Sequence, residues 1–345
     1  MGSGWFAGAS EKREKAGSLT ALGMTNQKSK SKGDIEARVY NSRMAFAPRP
    51  RFDWKLRTRT LRLGERTLVM AIVNLTPDSF SGDGQATTAG LAGAIAAVDG
   101  GADIVDLGAE STRPGSQSLT ADQEQLRLLP VLEGLLHQRP QAIVSIDTYH
   151  AATAKSAIGA GAEIINDVSG LLWDEHMPAA VAAERCGLVL MHTRGRPQDW
   201  RSLPALSGEE VVPLVLEGLR ERIAVAQSAG IDRASIVVDP GFGFGKIGQE
   251  NFALLAGLQQ LGQMGYPVLA GVSRKSFLGE AVHGVQPEGL PLAEARRTAT
   301  IAANVAAVLH GAHILRVHEV QAAREAAAVA DAVKASDECQ VASDK

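Results

Sequence analysis

A repeated alternation restricts the fold of this chain more than any other feature. Eight short apolar stretches, rich in β-branched residues, are expected as strands at 68–74, 104–107, 142–146, 163–166, 188–191, 235–238, 267–272 and 312–316. Between them lie Ala/Leu-rich amphipathic runs, among them 121–138, 151–160, 208–229, 250–261, 292–311 and 320–335. Strands separated by helix-sized segments imply parallel β-α units. Eight such units in about 270 residues suit an α/β protein built as a closed (β/α)8 TIM barrel. The rival is an open, doubly wound sheet. It would be supported by G-x-G-x-x-G after the first strand, where this chain reads Leu75-Thr76-Pro77-Asp78.

Composition narrows the class further. The 345 residues are 45% hydrophobic, with aromatics at only 4%, which favours helices of small residues over a β-sandwich. No apolar run reaches the roughly 18–20 residues of a membrane helix, so no membrane partner is expected. Two cysteines, Cys186 and Cys339, cannot build a disulfide framework, and a reducing cytoplasm follows. Charge is unevenly spread: residues 1–67 hold 15 Lys/Arg and 6 Asp/Glu, the remainder 20 and 32. Residues 1–50 lack periodic apolar positions and read as a disordered basic extension. They show no apolar signal-peptide core, and no aromatic or glycine pattern for nucleic acid. Residues 51–67 are expected as a hairpin or strand segment, with an exposed strand at 58–63. The barrel should occupy 68–336, and 337–345 a tail.

Catalytic residues of such barrels stand at the C-terminal strand ends. Here those ends carry Asn74, Glu110 after Gly108, Asp147, Asn166 with Asp167, Met191 with His192, Asp239, Ser273-Arg274-Lys275-Ser276, and Arg316 with His318. One polar strand end is ordinary, since polar residues cap helices. Nearly all eight in one barrel mouth point to a site. The densest stretch is Asp239-Pro240-Gly241-Phe242-Gly243-Phe244-Gly245-Lys246. Its glycines let backbone approach a ligand, its acid can accept from ring N–H groups, and a Phe can cover a ring face. A flat, nitrogen-rich heterocycle fits that grammar; a glycine-rich surface turn is the bland alternative.

The stretch from about Leu68 to Ala335 resembles dihydropteroate synthase. The resemblance rests on Asn74-Leu75-Thr76-Pro77-Asp78-Ser79-Phe80-Ser81, Glu110-Ser111-Thr112-Arg113-Pro114-Gly115, Ile146-Asp147-Thr148, Ile165-Asn166-Asp167, the Asp239–Lys246 stretch, Ser273-Arg274-Lys275-Ser276 and Arg316-Val317-His318. It implies a (β/α)8 barrel that joins 6-hydroxymethyl-7,8-dihydropterin pyrophosphate to p-aminobenzoate, releasing pyrophosphate by a dissociative substitution. It implies Mg²⁺ as cofactor and a homodimer. Carried over residue by residue, it assigns the pterin to Asp147, Asn166, Met191, Asp239, Gly243, Phe244 and Lys275. Pyrophosphate goes to Asn74, Arg113, Arg316 and His318, with Asn74 the Mg²⁺ ligand. p-Aminobenzoate goes to Phe80, Thr112, Pro114, Lys275 and Ser276. Asp147, Lys275, Arg316 and His318 are the expected catalytic groups. The family commonly reads Ser-Asp-Gly-Gly where this chain has Ser81-Gly82-Asp83-Gly84.

Alternatives stay open at this point. Asp147 or Asn166 could cap a following helix. His318 could bind a transition metal, although no second His stands at helical metal spacing. A pterin-dependent methyltransferase barrel, or a non-catalytic pterin-binding protein, would share the ring contacts. Neither needs the Thr112–Gly115 loop or the Arg316/His318 pair.

Overall fold

The computed structural model describes residues 46–47, 49–75, 83–110, 118–285 and 290–343. The expected extension at 1–50 therefore lies almost entirely outside the described residues. Two short strands come first, β1 (Phe52–Lys55) and β2 (Thr60–Leu63), paired antiparallel from Phe52↔Leu63 to Lys55↔Thr60. Strand and helix then alternate. The order is β3 (Leu68–Asn74), α1 (Asp83–Asp99), β4 (Ile104–Gly108), α2 (Ala121–Gln138), β5 (Val144–Asp147), α3 (Ala151–Gly159), β6 (Ile164–Asp167), α4 (Met177–Glu184) and β7 (Gly187–Met191). It continues with α5 (Gly208–Ser228), β8 (Ile236–Asp239), α6 (Gln249–Ala256), α7 (Leu258–Gly262), β9 (Leu269–Ala270), α8 (Ser276–Val282), α9 (Leu292–Leu309), β10 (Ile314–Val317) and α10 (Val320–Ser343).

The last eight strands form one parallel sheet in the order β8-β7-β6-β5-β4-β3-β10-β9. Its first and last strands in sequence, β3 and β10, are neighbours. Its edges meet too: Val238 bridges Val268, and the Val238 N–H donates to the Pro267 carbonyl at 2.9 Å. The expected (β/α)8 barrel is thus the observed fold.

Several elements differ from expectation. The strand expected at 267–272 pairs fully only at Leu269–Ala270. The run expected at 250–261 is two helices, parted at Gly257, where a Cβ would sit 2.6 Å from Cγ2 of Val212. α4 was not expected, because Met177–Glu184 carries four alanines and little amphipathic contrast. α10 runs through Ser343, beyond the tail boundary at 337.

The expected hairpin is present, and its second strand exposes Thr60 and Arg62 as expected, but its inward residues make it a plug. Parallel strands leave the barrel open at its N-terminal end, and the inward side chains there are apolar. Trp54, Leu56 and Leu63 of the hairpin close it, packing on Met70, Ile104, Ile164, Val189, Val237, Leu269 and Ile314. The Trp54 Nε1–H donates to the Ser235 carbonyl at 2.8 Å. Burying a side chain of that size contributes about 3 kcal/mol by area alone.

Packed structure also reaches back past Arg51, the expected start. Arg49 pairs with Asp331 at 2.7 Å, its side chain 5% exposed. His313 accepts from the Val268 N–H through Nδ1 at 3.1 Å, so Nε2 carries the proton and donates to the Pro50 carbonyl at 3.0 Å. Burial holds this imidazole's pKa down at about 4, in keeping with a neutral ring. Among the described residues, no helix is long and apolar enough to cross a membrane.

Candidate active site

Successive side chains of a strand alternate between the barrel interior and the helix layer. On β4 this sends Ile104 into the lower interior core and Asp106, two residues on, into the layer above. Sheet register carries that upper layer around the ring. Asp106 stands beside Ser145, Gly108 beside Asp147, Asp147 beside Asn166, and Met191 beside Asp239. Polar residues at these inward positions would be costly unless paired with one another or with a ligand.

They are paired through Arg316. Its Nε lies 2.6 Å from Oδ2 of Asp106, and its Nη2 bonds Oδ2 of Asp147. Asn166 donates from Nδ2 to the same Asp106 oxygen at 3.0 Å. Asp239 accepts from the Gly241 N–H at 2.7 Å through one oxygen. The Lys275 ammonium sits 4.1 Å from the centroid of the Phe244 ring, a cation–π geometry. Asn166, Met191, Asp239, Phe244, Lys275 and Arg316 line one pocket. Burial pushes the Asp147 carboxyl up to about 7 against the opposing pull of Arg316. Burial likewise raises Asp239 and lowers Lys275 to about 8. For Arg316, burial works against the charge, but Asp106 and Asp147 outweigh it and hold the guanidinium protonated.

The loop after β8 is shaped by its glycines and by one lysine. Gly241 and Gly243 have φ of 67° and 77°. A Cβ on Gly241 would sit 2.0 Å from the His192 carbonyl oxygen, which only glycine avoids. Phe242 turns outward to stack on Phe277 at 6.3 Å. Phe244 turns inward, edge-on to Trp200 at 5.3 Å. Lys246 is buried and donates to the carbonyls of His192 (3.2 Å), Gly241 (2.8 Å) and Phe244 (3.2 Å). Burial lowers its pKa to about 7.

The other expected residues lie nearer the rim. Asn74 ends β3, exposed, beside Gly108. Oγ of Ser273 is 3.0 Å from Nδ1 of His318 and accepts the His318 backbone N–H at 3.3 Å. Ser276 is the exposed first residue of α8, with Lys275 at the cap position. Gly243 lies under Lys275: a Cβ there would be 3.3 Å from Cδ of Lys275. Phe80, Thr112, Arg113 and Pro114 lie outside the described residues.

The capping alternative is answered by other side chains. Asp174 accepts the Ala151 N–H at the start of α3 at 2.8 Å. Asp167 accepts the N–H groups of Ser169 and Leu171, each at 2.8 Å. Asp147 and Asn166 face Arg316 and Asp106 instead. Sequence reasoning missed Asp106, Lys246 and Trp200. The available signal for Asp106 was an acid inside the apolar run Ile104-Val105-Asp106-Leu107, two residues before Gly108 and on its face.

A parallel barrel with acids, an amide and cations converging on an apolar-walled pocket defines a class of heterocycle-binding enzymes. The profile described as pterin binding enzyme matches residues 70–318, and the chain belongs to that family. Its relatives include the dihydropteroate synthase of Synechocystis sp., 36% identical over 284 residues that cover 82% of this chain and 92% of the relative. Among solved structures, the Xanthomonas albilineans dihydropteroate synthase with 4-aminobenzoic acid is 41% identical. It covers 83% of this chain and 99% of its own, with a TM-score of 0.73. The same protein in complex with 7,8-dihydropteroate aligns with a TM-score of 0.69 at 38% identity, again over 83% and 99%.

Proposed function

We infer that this chain is a dihydropteroate synthase, a transferase of folate synthesis. It condenses 6-hydroxymethyl-7,8-dihydropterin pyrophosphate with p-aminobenzoate to 7,8-dihydropteroate and pyrophosphate. The observation that carries the reading is the convergence of Asn166, Asp239, Lys275 and Arg316 on one pocket, with Asp106 and Asp147 paired to Arg316 behind it. Three acidic side chains stand against Lys275 and Arg316 there, Asp106 paired to Arg316 and Asp147 and Asp239 raised by burial. That suits a ring which must bear positive charge as its leaving group departs.

In this reading the pterin lies between Met191 and Phe244. Asp239 and Asn166 accept from the ring's N–H and amino groups, and Lys275 covers the ring from the Gly243 side. The methylene C–O bond breaks, pyrophosphate takes the electron pair, and Asp147 faces the resulting cation. The aniline nitrogen then forms the C–N bond and loses its proton. His318, beside Ser273 at the rim, meets the departing pyrophosphate, and Arg316 offers it the N–H groups that Asp106 and Asp147 do not use. Ser276 receives the aminobenzoate carboxylate. Phe80, Thr112, Arg113 and Pro114 complete the aminobenzoate and pyrophosphate subsites.

The donor set fits a hard divalent cation only as a guest shared with substrate. Among the described residues no group of three or more His, Cys, Asp or Glu could hold a metal. Asn74 supplies one exposed amide oxygen at the mouth, and Mg²⁺ keeps its waters and borrows phosphate oxygens readily. When bound, Mg²⁺ would neutralise charge on the leaving pyrophosphate.

The test is direct. Purified protein with both substrates and Mg²⁺ should release pyrophosphate only when p-aminobenzoate is present, and form dihydropteroate in equal amount. A chain beginning at Phe46 should turn over at the same rate, since the proposed chemistry needs nothing before it. Pterin binding without product would favour a non-catalytic binding protein, and methyl transfer without pyrophosphate release the methyltransferase reading.

The enzyme works as a cytoplasmic homodimer in this reading. Val329 and Val333, one turn apart on α10, are 62% and 41% exposed and offer an apolar face to a second copy. Sedimentation should give twice the 36.2 kDa chain mass; a monomer at micromolar concentration would remove the dimer from the proposal.

A further inference from the structure

We propose that Lys246 is an internal cation, caged by backbone carbonyls, that positions the carboxylate and the aromatic wall of the ring pocket, with Asn251 bracing the same turn. This rests on the pterin reading above. Lys246 is 2% exposed and stands outside the pocket lining. Its Nζ lies 3.2 Å from the carbonyl oxygen of His192, 2.8 Å from that of Gly241 and 3.2 Å from that of Phe244. Carbonyls turned away from water need donors, and here one atom serves three. An ammonium has three N–H groups where a neutral amine has two. The cage therefore favours the charged form, and Asp239 pulls the same way against burial.

Each caged carbonyl leads to the pocket. While the Gly241 carbonyl accepts from Lys246, the Gly241 N–H donates to Oδ1 of Asp239 at 2.7 Å and so orients that carboxylate. The Phe244 carbonyl belongs to the residue whose ring lies 4.1 Å from the Lys275 ammonium. The His192 carbonyl opens the loop that brings Trp200 edge-on to Phe244 at 5.3 Å. Asn251, 1% exposed, completes the brace. Its Oδ1 accepts the Gly243 N–H at 2.7 Å, and its Nδ2 donates to the Lys246 carbonyl at 3.0 Å.

The turn itself is Gly-Phe-Gly-Phe-Gly, with φ of 67°, 77° and 71° at its glycines. Such a chain carries little order of its own. Groups outside it must hold it if Asp239 and Phe244 are to keep one arrangement before the ring arrives. Lys246 and Asn251 touch no substrate; they act through Asp239 and Phe244 and are positioning residues.

The experiment is calorimetry of 6-hydroxymethyl-7,8-dihydropterin pyrophosphate on the folded wild type, Lys246→Met, Lys246→Ala and Asn251→Ala. Lys246→Met keeps the stem volume and removes every donor, and should weaken ring binding about tenfold to a hundredfold. Asn251→Ala leaves Lys246 in place and should weaken it about tenfold. Lys246→Ala lacks Cγ, Cδ, Cε and Nζ, which together are the atoms of n-propylammonium. That amine should bring ring affinity back to within about threefold of the wild type. Tetramethylammonium at the same ionic strength has no N–H to give and should restore nothing. A role in stability alone would lower the unfolding midpoint and leave the affinity of the folded protein untouched. That result in Lys246→Met overturns the proposal, as does equal restoration by the two cations. If neither lysine variant folds, Asn251→Ala decides: ring affinity within about twofold of the wild type overturns it. Failure of the wild type to bind the ring overturns the pterin reading instead. The cage is then judged by the unfolding midpoint of Lys246→Ala, which n-propylammonium should raise and tetramethylammonium should not.

Discussion

Replacing Arg316 with alanine should lower folding stability by about 3–5 kcal/mol and kcat/KM by about a hundredfold to a thousandfold. The guanidinium bridges Asp106 and Asp147, acids from neighbouring strands of one interior layer. Removing it leaves two carboxylates facing each other in a pocket that also holds Asp239. The Asp147 carboxyl, already pushed up to about 7 by burial, would then take a proton at neutral pH. That proton relieves part of the stability loss and removes the charge proposed to face the pterin cation. Pterin affinity should fall too, because Asn166 hangs on the Asp106 oxygen that Arg316 holds. Arg316→Lys should recover little: one ammonium cannot reach two carboxylates as a planar fork does. Denaturant unfolding and steady-state kinetics on both variants test this. A stability change within about 1 kcal/mol, the size of an exposed ion pair, would contradict the bridging role, as would full activity in Arg316→Lys.

The barrel was legible because it follows from periodicity alone. Apolar runs such as Leu68–Asn74 cannot alternate with amphipathic helices eight times and bury both sheet faces except as parallel units. Where that logic lacked purchase, expectation failed. Trp54 and Leu63 sit in strands whose other residues are polar or half-exposed, so nothing local marks them as the plug of a barrel that exists only once all eight strands have met. β9 shortened because the closing contact is a single bridge at Val268. The polar strand ends were legible as a set. Their partners were not, since Arg316 reaches Asp106 across the intervening β3, a pairing made by closure and not by sequence distance. Asp106 itself stands within an apolar strand, and Lys246 closes a glycine-rich stretch in which sequence reasoning gives it no role. The fold buries Lys246 instead under two carbonyls of the turn that carries Phe244 and a third from His192, after β7. Both hold neighbouring groups by hydrogen bonds, and such contacts show in coordinates more readily than in a motif.

Lys275 should give the reaction its alkaline limb. Burial lowers its ammonium to about 8, with Arg316 adding to the shift and Asp239 and Asp147 opposing it. A lysine with a lowered pKa loses its proton as pH rises through that value, so kcat/KM of the wild type should fall above about 8. On the acid side Asp147, raised to about 7, gains a proton as pH falls, and kcat/KM should drop below about 7. Phosphate groups of the substrate titrate as well, but they are the same for every variant, so the comparison between variants isolates the lysine. Lys275→Met should cost about tenfold to a hundredfold in turnover, the equivalent of one charge-assisted contact of about 1.5–3 kcal/mol. What activity remains should show no limb near 8. Lys275→Arg keeps a cation above the Phe244 ring at any working pH; its profile should stay flat through pH 9, with activity between those of the wild type and Lys275→Met. Because the lysine lies at the pocket and not within the apolar core, the unfolding midpoint of each variant should stay close to the wild type. The assignment is lost if Lys275→Arg retains an alkaline limb at 8, or if Lys275→Met turns over at the wild-type rate.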